Sequence, residues 1–172
     1  RWNGASWDTI GPVGISVGNC SDVQIEIDGQ GRPVVFAKDY DDGTYIRRWN
    51  GSSWEIVCAL DPYLSAQSPK LALDANGDFI IACQSWGLGW RSHVQRWNGS
   101  EWVEFGERGF SSMGVYYTGL AMNETGEIVV AYSDQAQENR TTVQRWNDSE
   151  WEPVGPGGFS AGHAAHIDVA LD

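Results

Sequence analysis

The chain has 172 residues and a net charge of −12. This charge excludes DNA, RNA and anionic membrane surfaces as expected partners, because binding to phosphate needs clustered Lys and Arg. The length suits one ordinary domain with a substantial core, and no apolar run approaches the roughly 20 residues that a membrane-spanning helix needs.

A seven-residue motif, Arg-Trp-Asn-Gly-x-x-Trp, occurs four times, beginning at Arg1, Arg48, Arg96 and Arg145. The successive steps are 47, 48 and 49 residues, and only the fourth copy departs from the motif, with Asp148 in place of Gly. Self-similarity at this period indicates a stack of equivalent supersecondary units, none of which can bury its apolar face alone. The copies hold eight of the ten tryptophans, namely Trp2, Trp7, Trp49, Trp54, Trp97, Trp102, Trp146 and Trp151.

The predicted elements are strands, which we label a to d within each repeat. Alternation, hairpin turns and short apolar runs predict them. No helix is predicted, because no 3.6-residue apolar stripe occurs and Gly or Pro interrupts every longer stretch. In chain order, strands c and d of a first repeat lie within 1–10, followed by strands at 23–28, 34–37, 69–74, 79–83, 93–97, 101–105, 118–123, 128–131 and, as one more strand a, 166–172.

Four antiparallel strands in about 45 residues, repeated, predict an all-β fold and specifically a β-propeller blade. The sequence Arg-Trp-Asn-Gly-Ser-x-Trp, with a strand reading Leu-Ala-Leu-Asp-x-x-Gly, resembles tandem repeats of secreted bacterial and archaeal β-propeller proteins, many of them functionally uncharacterised. The chain is not similar to WD40 proteins, because Trp7-Asp8 is its one Trp-Asp dipeptide, nor to kelch proteins. The resemblance implies a propeller fold and an extracellular or cell-surface location, and it implies almost nothing about activity.

The repeat spacing predicts one four-bladed propeller domain over residues 1–172, with repeats of about 48 residues. Residues 13–58, 59–106 and 107–156 are three complete blades. A fourth blade is split between the termini, with strands c and d in 1–12 and strand a in 157–172. This split blade is short of strand b, which leaves unpaired backbone at an inner position. Three explanations stay open: another copy or a further segment fills the gap, strands a and c pair directly, or the chain is an excised part of a longer array.

The tryptophan pairs flank the tight c–d turn of each repeat, so the two rings of a pair face each other across a hairpin. We expect them to fill the space between neighbouring blades, since large aromatic side chains dominate core packing. A ring of sugar-stacking platforms is the alternative. Four further aromatic residues lie outside the motif and are candidate ligand or partner contacts: Trp86, Trp90, Tyr116 and Tyr117.

Three other kinds of site are candidates. Asp74, Asn76 and Asp78 have the alternating oxygen spacing of a calcium loop, although an Asx-stabilised turn explains the same residues. Cys20 and Cys58 are a candidate disulfide, with buried free cysteines as the alternative. Asn-x-Ser/Thr sequences, which are candidate glycosylation sites or simply turns, begin at Asn19, Asn50, Asn98, Asn123, Asn139 and Asn147.

No cofactor and no catalytic constellation is predicted, because the sequence contains no nucleophile elbow, phosphate loop or metal-ligand spacing. Near-equivalent repeats favour a non-catalytic extracellular structural or assembly module. It would build a homopolymeric filament or tandem array through strand completion between subunits or through propeller contacts, so its expected partner is a second copy of itself. A carbohydrate-binding propeller is the alternative, and a glycoside-acting enzyme is the third hypothesis.

Overall fold

A computed structural model describes residues 1–60 and 66–171. The described chain is all-β: its regular elements are twelve strands and two three-residue 3₁₀ turns, at Trp86–Leu88 and Gln135–Gln137. The chain divides into two compact units, Arg1–Pro62 and Tyr63–Asp172. No helix among the described residues is long and apolar enough to cross a membrane.

The first unit contains one four-stranded antiparallel sheet in the order β1-β2-β3-β4. Its strands are β1 (Cys20–Ile27), β2 (Pro33–Asp39), β3 (Gly43–Trp49) and β4 (Trp54–Ala59). β2 is the most buried strand of this sheet, as its apolar run predicts. The sheet therefore has the meander topology expected of a single blade.

The second unit contains two four-stranded antiparallel sheets, again with strands paired in chain order. The first sheet consists of β5 (Ala66–Leu73), β6 (Phe79–Ser85), β7 (Arg91–Trp97) and β8 (Trp102–Glu104). The second consists of β9 (Val115–Met122), β10 (Ile128–Asp134), β11 (Arg140–Trp146) and β12 (Trp151–Pro153). The predicted strands of all three complete repeats are thus confirmed, with ends that shift by a few residues.

The two sheets of the second unit bury a common core. Ile80 and Ala82 of β6 belong to one buried cluster with Leu120 of β9 and Val130 and Tyr132 of β10. Every second residue of a strand faces the same side, so one face of each sheet supplies these residues. Burial of this shared face is what holds consecutive repeats together.

Asparagine and aspartate side chains shape the turns of every repeat. In the c–d turns, Oδ1 of Asn50 accepts hydrogen bonds from the backbone amides of Ser52 and Ser53, each at 2.8 Å, and Asn3, Asn98 and Asn147 do the same in their own repeats. These are Asx turns, which replace missing backbone partners. The motif asparagine therefore has a structural reason to recur.

Two sequence predictions about the terminal repeat are wrong. Residues 1–10 form a tight turn closed by one isolated bridge, Trp2 to Trp7, instead of two strands, and residues 166–171 contain no strand. A strand needs a neighbour for its hydrogen-bond ladder, and no described residue of this repeat forms a strand b. The prediction of no helix also needs correction, since the two 3₁₀ turns occupy the b–c loops.

The first strand of each repeat carries the same backbone irregularity. Asp22, Ser68 and Tyr117 have φ of 52°, 46° and 50°, at a register shift between strands a and b. His166 has φ of 53° at the matching position of the terminal segment. That segment therefore keeps the backbone shape of a strand a without a ladder. A bulge of this kind re-aims the side chains beside it.

Candidate functional site

The tryptophan pair of the repeated motif packs on the chain of the preceding repeat. In the first unit, Trp54 Nε1 donates a hydrogen bond to the Ile10 carbonyl at 3.1 Å. Trp49 packs so closely on Gly11 that a Cβ at residue 11 would lie 2.6 Å from Trp49 Cζ3. Ile10 and Gly11 follow the first copy of the motif. We call this arrangement of a Trp pair on an apolar-Gly segment the tryptophan clasp.

The second unit contains the same clasp. Trp151 Nε1 donates a hydrogen bond to the Phe105 carbonyl at 2.8 Å, and a Cβ at Gly106 would lie 2.7 Å from Trp146 Cζ3. Gly11 and Gly106 have φ of 74° and 75°, a left-handed conformation that glycine adopts at low cost. The pairs Trp49–Trp54 and Trp146–Trp151 thus contact the repeat that precedes their own.

A pocket of about 440 Å³ lies beside the clasp of the first unit. Arg1, Trp7 and Ile10 form the wall from the first repeat, and Ile27 and Trp49 belong to the wall from the next repeat. The pocket thus has two cationic side chains, Arg1 and Arg32, among mainly apolar and aromatic ones.

An equivalent pocket of about 330 Å³ lies beside the clasp of the second unit. Arg96 and Phe105 line it from one sheet, and Met122, Ile128 and Trp146 from the other. Its rim adds the polar residues Asp74, Asn76, Glu124, Thr125 and Asp148. Both volumes fall in the usual range of small-molecule sites, about 300–1,000 Å³.

The two pockets match position by position along the repeat. Each is walled by the motif arginine of one repeat and by the first motif tryptophan of the next repeat. The matching residues are Arg1 with Arg96, Ile10 with Phe105, Ile27 with Met122, Gly31 with Gly126, Pro33 with Ile128, and Trp49 with Trp146. The repeat therefore builds the same kind of site more than once.

Arg96 lines the second pocket, and its guanidinium has N–H donors that are not fully paired within the protein. Its guanidinium lies 3.9 Å from Oδ2 of both Asp74 and Asp78, too far for a hydrogen bond. Its Nε is buried and has no hydrogen-bond partner among the described residues. A buried polar group of this kind costs free energy unless something satisfies it.

The four predicted contact aromatics lie at the other end of the second unit, where the b–c loops and the beginning of β9 meet. All are exposed, from 38% for Trp90 to 66% for Trp86. The Val115 amide donates to the Trp90 carbonyl at 2.9 Å, which brings that loop beside Tyr116. The ring centroids of Tyr116 and Tyr117 are 6.4 Å apart, and those of Tyr117 and His166 are 5.2 Å apart.

The predicted calcium loop is hydrogen-bonded as a turn. Asp74 Oδ1 accepts the amides of Asn76 and Asp78 at 2.8 and 2.9 Å, so the atom that would bind calcium already holds the loop together. Asp28 and Asn123 play the same part in the corresponding turns. Among residues 1–60 and 66–171, no cluster of three His, Cys, Asp or Glu side chains could hold a metal ion.

The predicted disulfide between Cys20 and Cys58 is wrong, since both thiols are free. Cys20 begins β1 and Cys58 lies in β4, at opposite edges of the first sheet. Three strand spacings of about 4.8 Å separate those edges, whereas the Cα atoms of a disulfide lie within about 7 Å of each other. Burial raises the pKa of the Cys58 and Cys83 thiols to about 12, so neither is a ready nucleophile.

The predicted glycosylation sites differ in how their side chains are held. Asn50 Nδ2 donates to Glu55, and Asn147 Nδ2 donates to Glu152 at 2.5 Å. Asn98 has Val103 at the position of those carboxylates. Asn123 holds an a–b turn, Asn139 lies in a b–c loop with φ of 60°, and Asn19 directly precedes β1. Glycosylation at these positions stays a prediction.

The most buried titratable group is His93, on β7. Its Nδ1 lies 3.2 Å from Glu104 Oε2, and Glu104 Oε1 accepts hydrogen bonds from Gln95 and Arg108, each at 2.7 Å. Burial lowers the pKa of His93, and the Glu104 carboxylate opposes this effect. The side chain is enclosed, so we assign it a place in the packing and no contact with a ligand.

No family model and no curated protein matches the chain, but solved structures share its fold. A fucose lectin from Kordia zhangzhouensis, in complex with methyl-fucoside, is 19% identical with a TM-score of 0.50, and the match covers 78% of this chain and 99% of the lectin. An α-L-arabinofuranosidase from Fusarium graminearum is 16% identical with a TM-score of 0.57, over 78% of this chain and 48% of that one. A mutant of AofleA from Arthrobotrys oligospora is 16% identical with a TM-score of 0.54, over 76% and 40%.

These structures are β-propeller-like lectins and glycosidases. At such identities the likeness concerns the fold alone, which is all-β and built from four-stranded antiparallel sheets. The chain spans nearly the whole first structure and about half or less of the other two.

Sequence reasoning missed the arginines of the two pockets and the glycines of the two clasps. The signal was present, because arginine opens every copy of the motif and Gly11, Gly106 and Gly155 stand four residues after the second motif tryptophan. Within the second unit, the pocket lies at the opposite end of the sheets from the predicted aromatic contacts.

Proposed function

We propose that the chain is a non-catalytic carbohydrate-binding module whose sites are the pockets beside the tryptophan clasps. The observation that carries the proposal is the recurrence of one pocket, with an arginine facing a tryptophan, at matching positions of two repeats. The apolar face of a sugar ring can stack on an indole, and its hydroxyls can accept hydrogen bonds from a guanidinium. The net charge of −12 favours a neutral sugar over an acidic one.

A glycoside hydrolase would require catalytic carboxyl groups, which the two pockets do not have in common. Hydrolysis usually needs two carboxyl groups that flank the bond to be cleaved. The second pocket has Asp74, Glu124 and Asp148 at its rim, whereas none of the described residues that line the first pocket has a carboxylate. The two pockets have in common the motif arginine and the motif tryptophan, and these residues suit the binding of a sugar. Weak equivalent sites on one chain gain strength through avidity on a multivalent glycan.

The architecture that we propose for this function is a four-bladed propeller. The three complete sheets would be three blades, and the terminal segments would supply the fourth, with its a strand and its c–d turn at opposite ends of the sequence. An extracellular or cell-surface location fits such a glycan-binding role. Assembly with further copies, which the repeat pattern also favours, is a separate proposal.

A glycan array probed with the labelled chain tests the function, followed by titration of the strongest neutral saccharide. NMR signals of the indole N–H groups, assigned with Trp→Phe variants, should shift for Trp49 and Trp146. Arg96→Ala should reduce binding about tenfold, the loss expected for one charge-assisted hydrogen bond of about 1.5 kcal/mol. Arg140→Ala, at the other end of the same unit, is the charge-matched control and should bind normally.

Two results would contradict the proposal. One is an array in which no glycan retains the chain. The other is binding that survives unchanged in the Arg1→Ala/Arg96→Ala double variant while Trp86→Ala or Tyr117→Phe weakens it. That second result would move the site to the aromatic residues at the other end of the unit.

A further inference from the structure

The one departure from the repeated motif lies at the rim of the second pocket. Asp148 lines that pocket and stands where the other copies have Gly4, Gly51 and Gly99. Those glycines have φ of 100°, 105° and 98°, and Asp148 keeps a left-handed backbone with φ of 76°. Such a backbone is unfavourable for residues with a Cβ, although aspartate tolerates it better than most. The fourth copy thus places a carboxyl group in a turn that is shaped for glycine.

A second carboxyl group at this rim comes from the a–b turn of the same repeat. Asp28 and Asn123 hold matching turns, because Oδ1 of each accepts the amides two and four residues further on. This alignment sets Glu124 against Gly29, and Glu124 lines the second pocket. Both turns of this repeat therefore bring to the pocket a carboxylate that the matching turns of the first unit lack.

The carboxylates of Glu124 and Asp148 are exposed and unpaired. Arg145 is three residues before Asp148, but its guanidinium lies 3.7 Å from Glu127 and 3.6 Å from Glu152. In residues 1–60 and 66–171, no Lys, Arg or His forms an ion pair with Glu124 or Asp148. The two negative charges at the rim are therefore available to a ligand.

The two pockets differ in the sign of their charge. In the second pocket, Asp74 Oδ2 lies 3.9 Å from Arg96 Nη1 and opposes the charge of the guanidinium, which leaves the rim carboxylates in excess. In the first pocket the charged lining residues are Arg1 and Arg32, of which Arg32 pairs with Asp28 at 2.8 Å. A cationic ligand should therefore favour the second pocket over the first.

We propose that the second pocket selects a saccharide that carries a protonated amino group, and that Glu124 and Asp148 bind this group. The inference rests on the proposed function and names the class of saccharide that one of the two sites takes. An ammonium group has three N–H donors and forms charge-assisted hydrogen bonds with carboxylates. The sugar ring would still stack on Trp146, and Arg96 would still donate to a hydroxyl. An N-acetylated sugar has the same ring without the charge.

Titration of the full chain with a glucosamine disaccharide and with its N-acetylated counterpart tests the proposal. The indole N–H signals of Trp146 and Trp49 report the second and the first pocket separately in one experiment. At the second pocket the amino disaccharide should bind about fivefold more tightly than the acetylated one, the upper end of the effect of an exposed ion pair. Trp49 should show no such preference. Sodium chloride should reduce the preference at Trp146, because salt screens exposed charges.

Neutral variants of nearly the same shape identify the carboxylates responsible. Asp148→Asn and Glu124→Gln should each lower the affinity of the second pocket for the amino disaccharide about twofold, as each removes part of that ion-pair effect. The double variant should bind both disaccharides equally, with the affinity for the acetylated one unchanged. Glu107→Gln is the matched control, because Glu107 is exposed and is not one of the residues that line the pocket. It should keep the preference of the parent chain.

The first pocket allows the reverse substitution. Gly51 lines it at the position of Asp148, and a Cβ at Gly51 would meet no described atom within 4 Å. Gly51→Asp should give the Trp49 signal about a twofold preference for the amino disaccharide. Gly51→Asn carries the same backbone strain without the charge, so it should show no preference.

Four results would overturn the proposal. They are equal affinities of the second pocket for the two disaccharides, the same preference at Trp49, a preference that survives in the double variant, and a Gly51→Asp variant that behaves like Gly51→Asn. The second result would trace the preference to the net charge of −12, which acts on both pockets. The proposed function would survive all four, because binding of a neutral sugar that depends on Arg96 would remain. A chain that binds no saccharide would overturn both.

Discussion

The substitution Gly106→Ala probes the tryptophan clasp directly, and Gly155→Ala is its matched control. Both glycines have φ of 75° and the same position in their repeats. A left-handed backbone costs alanine about 1 kcal/mol more than glycine, and this cost applies to both variants. At residue 106 the new methyl group would also lie 2.7 Å from Trp146 Cζ3 and 3.3 Å from Trp151 Cδ1. At residue 155 it would meet nothing within 4 Å.

The difference between the two variants therefore measures the clasp. Forcing an extra methyl group into a packed contact costs about 1–3 kcal/mol, so Gly106→Ala should lose about 2–4 kcal/mol of unfolding free energy and Gly155→Ala about 1. Gly11→Ala in the first unit should resemble Gly106→Ala, because its methyl group would lie 2.6 Å from Trp49 Cζ3. Equilibrium urea unfolding, followed by near-ultraviolet circular dichroism, gives these values.

The protein concentration should be low enough that sedimentation shows a monomer, so that contacts between copies do not affect either value. Equal losses for Gly106→Ala and Gly155→Ala would refute the clasp, since backbone strain alone would then account for both. A change in the urea dependence of the transition would signal an altered unfolded state, and the comparison would then use thermal unfolding of the same variants.

Three further predictions each concern the substitution of one side chain. Trp151→Phe removes the indole hydrogen bond of a filled clasp and should cost about 1 kcal/mol in urea unfolding, while Trp7→Phe in a monomer should change little because that ring is exposed. Four backbone amides, that of Asp41 first, hold the pKa of Asp39 below its ordinary value of 3.8. Its stabilising effect is complete above that value and is lost as the pH falls through the lowered pKa. Asp39→Asn should therefore be less stable than the parent at pH 7, with a gap that closes in acid. Val103→Glu offers Asn98 the carboxylate partner that other repeats have, and should add about 0.5 kcal/mol in the same assay.

The local pattern of apolar and polar residues was sufficient to predict the strands of the three complete repeats. The apolar run 79–83 and the alternation at 69–74 both became strands, because side-chain periodicity and turn residues act over a few positions. The same rules failed for residues 166–171, where the pattern of a strand is present but no described strand pairs with it. A strand is a property of two segments, so one segment cannot guarantee it.

The repeat also indicated that the tryptophans pack, since their spacing across a hairpin places the two rings of a pair opposite each other on one side of the sheet. It did not reveal what they pack on. The partners of Trp54 and Trp151 lie 44 and 46 residues earlier, a distance over which no periodicity or propensity connects two residues. The pockets with Arg1 and Arg96 depend on the same contacts, because each wall comes from a different repeat. The strands and turns of this protein thus follow from neighbouring residues, whereas its clasps and candidate binding sites exist only where folding brings consecutive repeats together.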